Sequence, residues 1–496
     1  GVGNSTSGQS AGVLLSSGYT LSSTGGDIFI AGMNTDTAHY GSTIRTSYGT
    51  IDSGTGRIAM WGKASASVYY TFGINLHYYS NSAIPQVVTS ANKTAQAITF
   101  YGDSSPSTHS GSDGFWSPWY SGWITATGHQ GLRVLATGLA DASNPGGTIN
   151  LTGIGSATNG QGSGIGVRLD FVDLLAKSGA INVTGYESDG AGDTSSASIA
   201  LGGSGDDATS TGQTQNLVRF GSWTNYRTAT TGNLYTNQAG VQTNFATSET
   251  DINLLGDKMM FIESTDGTYW PEQGYKFNTS GDIAIQPVSQ SFAVNQDAVH
   301  WYFARSQVGG NPSSFTLGKD GNTANVTWWY NVTSTGPIKI YGGNVHIYEH
   351  NSADLVTTMN AAASGANKPG ILIKAAGKLY LYNNIDLTTS GADITLWSDF
   401  DNNGSGSIWL DDSNKLKSAG GKITLAGGLD DGAINNPDIT GRTANDGYPD
   451  NYATGIEGWA EDTGVMLHPG YVLSSGNGDI FVAGKSSSAA TTGKYG

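Results

Sequence analysis

Residues 12–32 read GVLLSSGYTLSSTGGDIFIAG, and residues 464–484 read GVMLHPGYVLSSGNGDIFVAG. Fourteen of the 21 positions are identical, and the two copies lie 452 residues apart. Both continue through a Ser/Thr/Ala-rich stretch to a Tyr-Gly pair, Tyr40-Gly41 and Tyr495-Gly496. An ordinary globular domain has no physical reason to restart its own opening, whereas a repetitive fibre does. The core of each copy, Gly26–Gly32 (GDIFIAG) and Gly478–Gly484 (GDIFVAG), carries the period of the fold. Two apolar residues spaced by two face one side of a strand, and the residue between them faces the other.

The same Ile-x-apolar-x-Gly pattern recurs at Ile58–Gly62, Ile98–Gly102, Ile149–Gly153, Ile181–Gly185 and Ile199–Gly203. It returns at Ile252–Gly256, Ile338–Gly342 and Ile423–Gly427, with looser versions at Ile283, Ile394 and Ile408. Each predicts a strand of four or five residues. The glycine is expected to allow a sharp bend. Ser, Thr, Asn and Asp supply turns by bonding neighbouring backbone. Units this small bury their apolar faces only by stacking. The expectation is therefore all-β: one continuous β-solenoid over residues 1–496, with irregular rungs and long side loops. Rungs of roughly 20–30 residues predict on the order of 20 rungs and, at about 4.8 Å each, a rod roughly 100 Å long. Residues 104–123 and 206–250 are expected to be loop decorations, and 464–496 to repeat the start, 12–41. Val167–Lys177 could make three helical turns by composition, yet from Gly166 onward it aligns loosely with the opening motif and reads as a third, diverged copy, mainly strand and turn. Asn351–Lys368 is the remaining helical candidate.

Composition agrees. Glycine is 73 of 496 residues and only 12% are charged, yet 37% are apolar and 10% aromatic, enough for a packed interior. No cysteine is present, so a long continuous core must replace disulfides. The net charge of −16 disfavours nucleic acid and anionic membrane surfaces. No apolar run approaches the roughly 18–20 residues that span a bilayer. Residue 1 is glycine and no signal peptide is visible, which suggests a processed segment of a larger product.

The strings SGADITLWSDFDNNGSGSIWL (390–410), SAGGKITLAGG (418–428) and SGAINVTG (178–185) resemble the large filamentous-haemagglutinin-like exoproteins of bacteria. The resemblance covers most of the chain as a pattern and is most specific over 370–484. It implies a right-handed parallel β-helix, export to the bacterial cell surface, and a role in adhesion or matrix building.

Four constellations carry possible chemistry. The loop Phe115, Trp116, Trp119, Tyr120 and Trp123 offers aromatic faces that stack on sugars, or that pack at an interface. Asp399, Asp401 and Asn403 match the first half of a calcium loop, with Leu410 where the closing glutamate belongs and Asp411 as a substitute. His346-Ile-Tyr-Glu349-His350 matches a zinc-peptidase string, but its alternation reads as a strand, not as the required helix. Asn34-Thr35-Asp36, Gly128-His129-Gln130-Gly131, Asp206-Asp207 and Asp430-Asp431 resemble pieces of a polysaccharide hydrolase signature. They are scattered and out of order, so no catalytic residue is assigned. Eight Asn-x-Ser/Thr sequons occur, among them Asn150 and Asn182 on the outer face of short strands.

The functional expectation is a structural extracellular fibre or adhesin stalk that associates with itself, head-to-tail or as covalent tandem repeats. Surface glycans are the other candidate partner. No cofactor is expected beyond a possible calcium ion, and no enzymatic activity.

Overall fold

The computed structural model describes residues 2–3, 10–35, 41–65, 71–76, 86–108, 111–117, 132–156, 164–170, 172–187, 197–201, 218–221, 249–261, 275–295, 307–329, 331–348, 357–362, 369–431, 443–456 and 463–487. All regular structure among these residues is β-strand. The chain divides into two compact units, one built mainly from residues 1–282 and the other mainly from 283–496.

In the first unit the Ile-motif strands form one parallel sheet, in the order Val2–Gly3, Ile28–Asn34, Ile58–Ala64, Ile98–Asp103, Ile149–Ile154, Ala180–Tyr186, Asp251–Leu255. A second sheet holds Ser10–Leu15, Gly41–Thr46, Thr71–Leu76, Phe115–Trp116, Val167–Leu169, Ile199–Leu201 and Met259–Phe261. A third holds Tyr19–Ser22, Gly49–Asp52, Gln86–Ser90, Leu132–Ala136, Val172–Ala176, Val218–Gly221 and Tyr275–Asn278. The chain therefore visits the three sheets in cyclic order, and each strand pairs with the one a full circuit later. Such a circuit is a rung.

The second unit keeps this order. Its Ile-motif strands include Ile338–Gly342, Pro369–Ala375, Asp393–Ser398, Ile423–Gly427 and Ile480–Val482. Its second sheet is Val326–Trp328, Val345–Ile347, Leu379–Leu381, Ile408–Leu410, Val465–Leu467. Its third is Val332–Ser334, Thr357–Ala361, Ile385–Thr389, Lys415–Lys417, Val472–Ser474.

Register explains the core. Ile58, Ile98, Ile149, Ile181 and Ile252 are successive partners and all are fully buried. Ile338, Ile371, Ile394 and Ile423 form the matching column in the second unit. Each such side chain contributes about 1.5–3 kcal/mol by leaving water.

The motif glycines have a different role from the expected bend. Gly62, Gly102, Gly153 and Gly185 are also successive register partners, and none has a positive φ. A Cβ on Gly102 would collide with the Gly114 carbonyl oxygen, one on Gly153 with that of Gly166, and one on Gly185 with that of Ser198. The missing side chain lets the next sheet's strand approach at backbone contact.

Further expectations change. Ile199 and Ile408 belong to the second sheets, so the 14- and 15-residue spacings around Ile408 are fractions of a circuit; the full one is 29 residues, from Ile394 to Ile423. The Ile-motif strands number fourteen among the described residues, fewer than the expected rungs, because many circuits carry long insertions. The helical candidate at 351–368 contains the strand Thr357–Ala361, its other residues lying mostly outside the described set. Within 104–123 and 206–250, Phe115–Trp116 and Val218–Gly221 are strands in register with their neighbours. Within Val167–Lys177, Val167–Leu169 and Val172–Ala176 are strands of the second and third sheets rather than helix.

Replacing Gly153 by Ala should lower the unfolding free energy by about 1–3 kcal/mol or more, against less than about 0.5 kcal/mol for the outward Thr152→Ala. Denaturant titration measures both, and equal midpoints would refute the close-approach role of the glycine column.

Candidate functional site

The densest concentration of chemically distinctive side chains lies on the outer face of the second unit's second sheet. Its strands alternate inward and outward: Val345-His-Ile-Tyr348, Leu379-Tyr-Leu-Tyr382, Ile408-Trp-Leu-Asp411 and Val465-Met-Leu-His468. Val345, Ile347, Leu379, Leu381, Ile408 and Leu410 are fully buried inside. Register then aligns His346, Tyr380, Trp409 and Met466 in one outer column. Backbone bonds from Tyr348 to Trp328, Tyr382 to Ile347, Asp411 to Leu381 and His468 to Leu410 extend the ladder to a second column.

The rings of these columns stack on one another. Trp329 lies 4.6 Å from Tyr348, Tyr348 3.7 Å from Tyr382, and Tyr382 3.9 Å from Tyr380, centroid to centroid. Trp409 lies 5.3 Å from both Tyr380 and His468, the latter nearly parallel at 7°. Lys378 places its Nζ 4.2 Å from the Tyr380 ring and 4.3 Å from Trp409. Each aromatic pair contributes about 0.5–1.5 kcal/mol beyond its burial. Tyr348, Tyr382 and Tyr380 lie face against face. A sugar ring needs a free aromatic face, so this ladder is built for packing.

Burial sets its electrostatics. His346 is pushed down to about 4, first by desolvation and then by the Lys378 charge, so its imidazole is neutral at neutral pH. Lys378 falls to about 8 by desolvation, opposed by Asp411. Tyr380 is driven far up by burial and by its hydroxyl's 2.8 Å bond to Asp411. His346 sits on the strand Val345–Ile347, which agrees with the strand reading of the peptidase-like string. Glu349 and His350 lie outside the described residues.

The ladder ends in a grouping suited to a cation. Asp411, Asp412 and His468 bring one ligand atom each within 4.8 Å of one another, with His468 Nδ1 3.8 Å from Asp411 and 4.0 Å from Asp412. Asp411 thus belongs to this group. Asp399 is buried, and its carboxylate accepts the Gly404 N–H within the turn. Asp401 accepts the Asn403 amide. The Asp399–Asn403 segment is a self-bonded turn with positive φ at Asp399 and Asn402. A second acidic group, Asp430, Asp446 and Asp450, is tied by backbone bonds from Asp446 and Gly447 to Asp430.

The aromatic stretch at 115–123 divides. Phe115 is fully buried against Phe100 and belongs to the core, so it meets no sugar. Trp116 packs 4.6 Å from Phe72 and under Arg168. Trp119, Tyr120 and Trp123 lie outside the described residues. So do Asp36, Gly128–Gly131 and Asp206-Asp207.

Sequons Asn150 and Asn182 are engaged in a side-chain ladder. Asn150 donates to the Ala95 carbonyl, Asn182 to Asn150, and Asn253 to Asn182, all at 2.7–2.9 Å. The nitrogen that a glycan would occupy is already a donor.

Two buried carboxylates, Asp113 and Asp170, lie close to the charge of Arg168. Asp113 accepts the Ile165 N–H at 2.9 Å, and Asp170 pairs with Arg168 at 3.3 Å. Desolvation raises Asp113 to about 7 and Asp170 to about 6, against the pull of Arg168. A folded-state value above the unfolded one favours the protonated fold. Stability is therefore greatest below about pH 4 for these groups and falls as pH rises toward about 7. Asp113→Asn keeps the acceptor for Ile165 and removes its charge. Its melting temperature should exceed that of the unaltered protein at pH 8 and converge with it at pH 4.5, as thermal melts across this range would show. A parallel pH profile would refute the buried-charge account.

No protein-family model, curated protein or solved structure matches this chain.

Proposed function

We propose that this protein is a structural element of an extracellular fibre or adhesin stalk. It is a right-handed parallel β-helix in which about 452 residues constitute one period of a longer repetitive assembly. The cyclic three-sheet order supports the helix. Its handedness, its export to a bacterial surface and its adhesive or matrix role rest on the exoprotein resemblance. No catalytic step is part of the reading.

One observation carries it. The duplicated sequence is also a duplicated rung. Val13, Leu21 and Ile28 pair forward with Ile44, Ile51 and Ile58 in the second, third and Ile-motif sheets. Val465, Leu473 and Ile480, their sequence counterparts, pair backward with Ile408, Leu416 and Ile423 in the corresponding three sheets. Residues 464–484 therefore have the backward pairing of a late rung and the sequence of the first. That combination is what a period boundary requires.

Electron microscopy of native material should show filaments, and oriented fibres should diffract near 4.8 Å along their axis. Native material that is uniformly monomeric would overturn the proposal.

A further inference from the structure

The chain has no cysteine, so no disulfide can join one rung to the next. It has 24 tyrosines, and the second unit stacks two of them from successive rungs. Tyr348 follows the strand Val345–Ile347 and Tyr382 follows Leu379–Leu381, which are register partners. The Tyr382 N–H donates to the Ile347 carbonyl, so the pairing continues to this position. Both residues are half-buried on the outer face, within reach of solvent.

The two rings overlap along their length. Their centroids are 3.7 Å apart, and their planes differ by 21°. The Tyr348 hydroxyl donates to the Tyr382 hydroxyl at 2.8 Å. Two phenols whose centroids and oxygens are both this close point the same way. The shorter distance at the oxygens brings the flanking ortho carbons together face to face. A phenoxyl radical carries its unpaired electron on the oxygen and on the ortho and para carbons, in orbitals perpendicular to the ring. The para carbon of tyrosine bears the side chain, so coupling falls to the ortho carbons, and face-to-face approach is the one it requires. Further rings extend the stack: Trp329 lies 4.6 Å from Tyr348, and Tyr380 3.9 Å from Tyr382. An electron lost from a flanking ring is refilled from the ring in contact with it. Tyr380 differs from the pair, because its hydroxyl is tied to the Asp411 carboxylate at 2.8 Å and not to a second phenol.

We infer that Tyr348 and Tyr382 are the site of a covalent tie between rungs, an ortho–ortho carbon bond formed when a one-electron oxidant of the peroxidase class acts on the folded chain. Each phenol gives up one electron and its hydroxyl proton. The two ortho carbons join, and the hydrogen on each moves to its own oxygen, which restores both phenols. Two electrons and two protons leave in all, and they reduce one hydrogen peroxide to two waters. The bond closes a loop between residues 34 apart in the chain. It stabilises the fold by removing conformations from the unfolded state. It depends on these two rungs alone, whether or not the chain forms fibres.

A plant haem peroxidase with limiting hydrogen peroxide, applied to the dilute folded chain, tests the site. The main product should be monomeric, two hydrogen atoms lighter, and fluorescent as dityrosine. Peptide mapping should find Tyr348 linked to Tyr382, and the denaturant midpoint should rise. Tyr348→Phe and Tyr382→Phe keep the stacked rings and lose only a hydroxyl, and each should lose this product. Tyr380→Phe and Tyr341→Phe, close by in sequence, should keep it. Oxidation in urea should scatter coupling over the other tyrosines, because the stack is gone. A 348–382 link that forms equally well in urea, or a product that survives Tyr348→Phe, would overturn the site. So would a folded chain that couples elsewhere, or not at all, while free tyrosine in the same solution couples.

Discussion

Parallel, in-register stacking is the constraint on which everything else in this protein depends. When each circuit lies about 4.8 Å from the next, every residue sits against its counterpart one rung away. Inward positions answer with columns of isoleucine. Positions at the sheet junction answer with columns of glycine, where any side chain would meet the carbonyl of the adjoining strand. Outward positions answer with groups that bond their own kind, such as the Asn150, Asn182, Asn253 amide ladder and the stacked tyrosines and tryptophans.

Some outward positions instead alternate in charge from rung to rung. Arg133, Asp173 and Arg219 are successive partners of alternating sign, with Arg219 bonding Asp173 at 2.6 Å. Asp386 partners Lys415, and Asp27 lies against Arg57.

The duplicated rung shows how one sequence is put to two uses. Among the seven positions that differ, Leu/Met, Ile/Val and Thr/Val preserve the packing, and two fall in a turn. Ser16 to His468, with its neighbour Ser17 to Pro469, is the change that brings new chemistry. It adds an imidazole to the end of the aromatic ladder, beside Asp411 and Asp412. The ladder itself was present in the strings VHIY, LYLY and IWLD. Its significance was hidden because alternate residues show which face a side chain takes, not which distant residue lies next to it.

The sequence by itself determined the strand period, the all-β class and the duplication, because apolar alternation and repetition are local properties of a chain. It favoured strand over helix at Val167–Lys177, where two strands are found, only through a loose alignment with the opening motif. It did not determine which strands share a sheet. Ile199 and Ile408 carry nearly the same motif as Ile181 and Ile423 yet lie in different sheets. Circuits of unequal length hide that assignment, and only the closing of each circuit against its predecessor reveals it. Tertiary structure likewise removed Phe115 to the core and set Asp411 beside His468. The physical reason is common to all three. Burial and partnership are decided by the neighbouring rung, which lies tens of residues away along the chain and one strand spacing away in space.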